Sequence, residues 1–105
     1  MSSLPAAVAD EQSTVRPRLV FFHSGVSGAS RRAEGFLAQV LQRRRNHGTF
    51  RLYRVEREKR PDLFARFAID VEPTLLVVEG TTVRSRLERP RGCREIEAFL
   101  APWLK

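Results

Sequence analysis

Cysteine is all but absent. Cys93 is the only one, so no disulfide can close within the chain and no cysteine-rich metal site can form. Lysine is nearly missing as well: of 19 basic residues only Lys59 and Lys105 are lysines, which leaves 17 arginines. A bias of that kind arises from GC-rich coding as readily as from selection for phosphate contacts. The formal net charge of +7 therefore reads first as a solvated basic surface, with a nucleic-acid or acidic-partner surface as the alternative reading. Long apolar runs are lacking too, and none approaches the roughly 18 residues that span a bilayer. Met1 to Val15 has neither a basic n-region nor an apolar h-region and carries Asp10 and Glu11 instead. No secretory signal and no membrane association are expected, and the cytoplasm is the default location.

What remains is globular. A chain of 105 residues, 42% hydrophobic with seven phenylalanines, can bury one modest core but not two. Residues 1–16 mix Ser, Ala, Pro and acidic side chains without a sustained period, and read as a flexible tail with at most a helical turn across Ala6 to Glu11. Residues 17–105 form the domain.

Its organising stretch is Leu19-Val20-Phe21-Phe22-His23-Ser24-Gly25-Val26-Ser27-Gly28-Ala29-Ser30-Arg31-Arg32. The apolar run predicts a strand over about 18–23 that is buried on both faces. Ala33, Phe36, Leu37, Val40 and Leu41 then fall on one stripe of a helix over about 28–46. Arg43-Arg44-Arg45 load its last turn with charge that suits the macrodipole, Asn46-His47-Gly48 stops it, and Gly35 softens its middle.

Phe50 to Val55 reads as a second strand, nearer the sheet edge because arginines interrupt it. Glu56 to Arg60 is a charged loop. Pro61 opens a helix whose inner face is Leu63, Phe64, Phe67 and Ala68. A core strand follows Pro73, and Glu79-Gly80-Thr81 turns into an edge strand over about 82–88, with Val83, Ser85 and Leu87 on one face and arginines on the other. Ile96, Phe99, Leu100, Trp103 and Leu104 make a last helical stripe, frayed or bent at Pro102.

The strand, turn and helix around Ser27-Gly28-Ala29-Ser30, followed by basic Arg31, resemble the thioredoxin family. In that family the turn carries Cys-Gly-Pro-Cys between a central strand and a long helix. Ile69-Asp70-Val71-Glu72-Pro73-Thr74-Leu75-Leu76 resembles the family segment in which a cis-proline precedes a core strand and faces the reactive turn; the step from Pro61 to Pro73 also matches. The resemblance covers about residues 18–104. It implies an α/β three-layer sandwich in the order β-α-β-α-β-β-α, a four-stranded mixed sheet with helices on both faces. Right-handed crossovers are expected to set the first helix opposite the other two. The family's additional first strand is expected to be missing.

The resemblance also implies what the turn cannot do. Disulfide exchange needs a thiolate and a resolving thiol, and both cysteine positions are serine here. Phe21 stands where the family buries an acid, and His23 and Val26 stand where it usually has tryptophans. We expect a redox-inactive domain with no catalytic residue, no cofactor and no metal.

Ser27 is a good N-cap, able to accept from the Ser30 amide. Ser27 with Arg31 and Arg32 is the alternative anion site. By the resemblance, Val26, Arg31, Glu72, Pro73 and Thr74 line a groove for an extended protein or peptide partner, with Glu72, Arg31 and Arg89 selecting charge. A residual redox role would fall to Cys93, at a helix start between Arg91 and Arg94. Nucleic-acid or acidic-partner binding would fall to Arg43, Arg44, Arg45, Arg51, Arg54 and Arg57.

Overall fold

The strand pattern of the sequence builds one mixed sheet. The computed structural model describes residues 16–43 and 48–104, in the order β1 (Arg18–His23), α1 (Gly28–Gln42), β2 (Arg51–Glu56), α2 (Pro61–Arg66), β3 (Thr74–Glu79), β4 (Thr82–Glu88) and α3 (Cys93–Leu100), with a closing 3-10 turn Ala101–Trp103. Strands lie in the order β2-β1-β3-β4. β1 runs parallel to β2 and antiparallel to β3, and β3 is antiparallel to β4. Of the tail expected over residues 1–16, residues 1–15 lie outside the described residues. Arg16 donates to the carbonyl oxygen of Gly48 at 3.2 Å. No helix among the described residues is long and apolar enough to cross a membrane.

The side-chain period of two divides the core into two layers. Leu19 and Phe21 of β1 point with Leu75 and Val77 of β3 to one side, where Ala33, Leu37 and Val40 of α1 meet Ile96 and Leu100 of α3. Val20, Phe22, Leu76 and Val78 point to the other side, against Val55, Leu63, Phe64 and Ile69. The rings of Phe22 and Phe64 meet edge to face with centroids 5.2 Å apart. Truncating a buried phenylalanine of this kind to alanine costs about 3–5 kcal/mol.

This arrangement corrects one expectation. α1 and α3 share a face, and α2 alone covers the other. The handedness rule fixes only the parallel β1-α1-β2 unit. α2 leads into an antiparallel strand and α3 follows one, so their apolar side chains decide where they lie.

Three smaller departures have local causes, and the bend expected at Pro102 is present. α1 ends at Gln42, where extended Arg43 turns its amide back to the Val40 carbonyl. The arginine run therefore does not load the helix's last turn: Arg43 pairs with Glu97 of α3, and residues 44–47 lie outside the described residues. Ala68 is exposed rather than on the inner face of α2. It holds φ 55, while the Ile69 amide donates to the Phe64 carbonyl at 2.8 Å, a left-handed helix stop in which glycine is usual.

In β4, the pairing jumps from Val77↔Ser85 to Val78↔Val83. The extra residue is a bulge that moves Val83 off the face shared by Ser85 and Leu87. Pro102, which has no amide to donate, ends α3 in the 3-10 turn. There the Trp103 indole Nε1 donates to Glu79 Oε2 at 2.9 Å.

Two positions have the wrong residue for their backbone, in opposite senses. A Cβ at Gly35 would meet nothing within 4 Å, and the site is an exposed helix interior, so Gly35→Ala is expected to stabilise by about 1 kcal/mol. Ala68→Gly is expected to stabilise by a similar amount by relieving the positive φ. Each should raise the melting temperature by about 4–8 °C in a domain of this size. An unchanged or lower midpoint for both in calorimetry would contradict these backbone assignments.

Candidate functional site

At the end of β1 the chain makes a turn, Ser24 to Ser27, that is held by hydroxyl and carboxylate groups. Ser27 has extended backbone and its Oγ accepts from the Ser30 amide at 3.1 Å, the N-cap expected from sequence. The Ser30 hydroxyl is 2% exposed, and its oxygen accepts from the Ser24 amide at 3.0 Å. Both serines at the positions of the resemblance therefore use their hydroxyls to fasten the turn to the start of α1. Gly28 is exposed, and Ala29 is half-buried. His23 is stacked on Phe21, ring centroids 5.0 Å apart, a packed strand-end histidine.

A third group completes the turn. Glu58, in the loop after β2, accepts from the Ser24 hydroxyl at 2.6 Å and from the Gly25 amide at 3.1 Å. The Ser24 hydroxyl foremost, and then the Gly25 amide, hold its carboxyl below the usual range. Sequence reading treats Glu56 to Arg60 only as a charged loop, since Glu58 is 34 positions from Ser24 and no local pattern joins them. Gly25 is where this loop comes close: a Cβ there would meet Glu56 Oε2 at 3.0 Å.

The Glu72–Pro73 peptide is cis. Ala29 of α1 and Pro73 line the same groove, of about 600 Å3, which runs on to Phe36 and to Glu88, Arg89, Pro90 and Arg91 after β4. This is not the lining expected. Val26 stands 88% exposed and does not line the groove. Arg31 faces solvent, and Arg32 takes its place in the lining.

The Glu72 carboxylate is engaged by Arg57 Nε, whose guanidinium also lies 4.4 Å from the centre of the Phe64 ring. Thr74 is fully buried, its hydroxyl donating to the Val71 carbonyl at 2.7 Å. Glu72 and Thr74 thus brace the loop beneath the groove. The helical spacing of Ala29, Arg32 and Phe36 puts these three lining residues on one face of α1.

Cys93 lies apart from the turn. Its thiol donates to Gln39 Oε1 at 3.0 Å and to the Phe36 carbonyl oxygen at 3.6 Å, about 9–13 Å along α1 from Ser30 at 1.5 Å per residue. The arginines suggested for nucleic acid are drawn into the protein itself: Arg43 pairs with Glu97, Arg54 with Glu34 and Arg57 with Glu72. Arg51 also has a partner within the protein. Among the described residues no group of three His, Cys, Asp or Glu side chains could hold a metal ion.

A carboxyl whose folded-state pKa is lowered contributes stability above its unfolded value and loses that contribution as pH falls through the folded one. Wild type is therefore expected to lose more of its melting temperature than Glu58→Gln between pH 7 and about pH 3, a range that brackets ordinary carboxyl titration. Equal losses would show that Glu58 does not clamp the turn.

No family model matches the chain, and no curated protein matches its sequence. Solved structures do match in shape. The chain is similar to Trxlp from Edwardsiella tarda EIB202, with a TM-score of 0.80 at 18% identity over 92% of this chain and 93% of that one. It is similar to a malarial protein, with a TM-score of 0.72 at 15% identity over 86% of this chain and 99% of that one. It is also similar to thioredoxin-2 of the malaria parasite, with a TM-score of 0.73 at 15% identity over 83% and 82% of the two chains. Sheet order, helix placement and these likenesses together make this chain a thioredoxin-fold domain.

Proposed function

We propose that the chain is a binding module that performs no disulfide exchange at its turn and receives an extended peptide of a partner protein beside it. The observation that carries this reading is the use of both turn hydroxyls, Ser27 Oγ and Ser30 Oγ, as hydrogen-bond acceptors for the domain's own amides. An alcohol does not replace a thiolate in attack on sulfur. The surface remains: an exposed Val26 at the turn and, past it, an open groove floored by Ala29, Phe36, Pro73 and Pro90. A groove of about 600 Å3 lies within the ordinary range of ligand sites, roughly 300–1,000 Å3.

Work as part of an assembly has a counterpart in this fold, since thioredoxin-2 is a component of the malaria parasite protein secretion machinery. The module is assigned to the cytoplasm, on the support of a single cysteine in a compartment that keeps thiols reduced. It is assigned neither a catalytic residue nor a cofactor.

Gly28 offers the test, because a Cβ there would meet only Arg32 Nη1, at 3.5 Å. Gly28→Trp therefore adds bulk at the turn from a Cβ that meets only the far end of a flexible side chain. Fluorescein-labelled extended peptides of mixed sequence are expected to bind wild type with a measurable anisotropy change and Gly28→Trp at least about tenfold more weakly, a loss of about 1.4 kcal/mol. Equal binding by both proteins, with circular dichroism showing the variant folded, would overturn the reading.

A further inference from the structure

The groove's walls carry charge that its floor does not. Arg32, Arg89 and Arg91 line it together with Glu88 and Glu95. Both carboxylates are committed: Glu88 pairs with Arg86 at 3.5 Å, and Glu95 Oε1 accepts from the Arg91 amide at 2.7 Å. Among the described residues, the arginines are held only through their backbones. The Arg89 amide donates to the Pro73 carbonyl at 2.8 Å, and Arg89 itself has φ 49. Among the described residues, no hydrogen bond or ion pair engages the guanidinium of Arg32, Arg89 or Arg91. This contrasts with Arg43, Arg54, Arg57, Arg60, Arg84 and Arg86, each of which faces an acidic side chain of the domain.

Position reinforces the charge. Arg32 Nη1 lies 3.5 Å from the point a Gly28 Cβ would occupy, so its guanidinium reaches back towards the helix start. α1 has no acidic residue in its first turn, which leaves the positive end of its dipole uncompensated on that side.

Resting on the reading of this groove as a peptide site, we propose that its ligand is an acidic extended segment of a partner protein. An apolar side chain of the segment sits on Phe36, Pro73 and Pro90, and flanking Asp or Glu carboxylates pair with Arg32, Arg89 and Arg91. Guanidinium forks suit carboxylates, which accept two parallel N–H bonds. A polynucleotide fits less well, because its continuous phosphate charge would run past Glu88 and Glu95 in the same wall. At an exposed rim, the charges add selectivity and association rate more than raw affinity.

The probes are three fluorescein-labelled peptides with one central valine flanked on each side by a pair of glutamates, of glutamines or of lysines. The glutamate peptide is expected to bind wild type at least about tenfold more tightly than the glutamine peptide at low salt, and to lose most of that advantage at 0.5 M salt, where the screening length is only a few ångströms. The triple variant Arg32→Glu, Arg89→Asn, Arg91→Glu should abolish the preference. Arg94→Glu, a charge change on α3 outside the groove lining, should leave most of it.

Equal binding of the glutamate and glutamine peptides, unaffected by the triple variant, would overturn the acidic assignment and leave the peptide groove standing. Failure of all three peptides to bind would overturn both. A single-stranded oligonucleotide that binds as tightly as the glutamate peptide and competes with it would overturn the choice of a protein partner.

Discussion

The buried hydrogen bond from the Ser24 amide to Ser30 Oγ ties the last residue of the central strand's exit to the first turn of α1. Its partner bonds share the same few atoms: Ser27 Oγ takes the Ser30 amide, and Glu58 takes the Ser24 hydroxyl and the Gly25 amide. A buried amide left without an acceptor costs about 1–3 kcal/mol, so the side chain at position 30 cannot be apolar without loosening the turn. The entry angle of α1, and with it the meeting of Ala29 and Pro73 across the groove, depends on this closure. The turn is stabilised by the groups that chemistry would otherwise have to set free.

A thioredoxin fold supplies a rigid two-layered core, a turn at a helix start and a proline loop opposite it, and it supplies these whether or not sulfur is present. In this chain the two layers are well filled, with Phe21 and Phe22 back to back across β1 and both fully buried. The Arg57–Glu72 pair joins the loop after β2 to the loop before β3 and so braces the proline loop. On the proposed reading as a binding module, such a platform would leave few groups to be ordered when a peptide arrives.

Much of this frame was legible in the residues. The run Leu19 to Phe22 gave its two-sided burial directly, the stripe Ala33, Leu37 and Val40 gave α1, and Pro61 and Pro73 marked starts that the structure keeps. Features that depend on distant partners were not legible. Glu58 finds Ser24 only because β2 pairs with β1 and brings the following loop back to the turn. The face chosen by α3 follows from which apolar surface is still uncovered beside α1, and the bulge at Arg84 lies in the pairing of β4 with β3, which no local pattern records. On α1 the cavity is lined by Arg32 and not by its neighbour Arg31, a step around the helix that a resemblance carried along the chain does not resolve. At about 100° per residue, that one step moves a side chain from solvent into the groove.

The proposal that the turn performs no disulfide exchange rests on Ser27 and Ser30, whose hydroxyls accept from the domain's own amides. The most direct measurement is insulin reduction by dithiothreitol, followed for wild type and for Ser27→Cys/Ser30→Cys in parallel. Wild type is expected to run at the rate of the blank and the double variant above it. A wild-type rate above the blank, or a folded double variant that stays at the blank, would contradict that proposal.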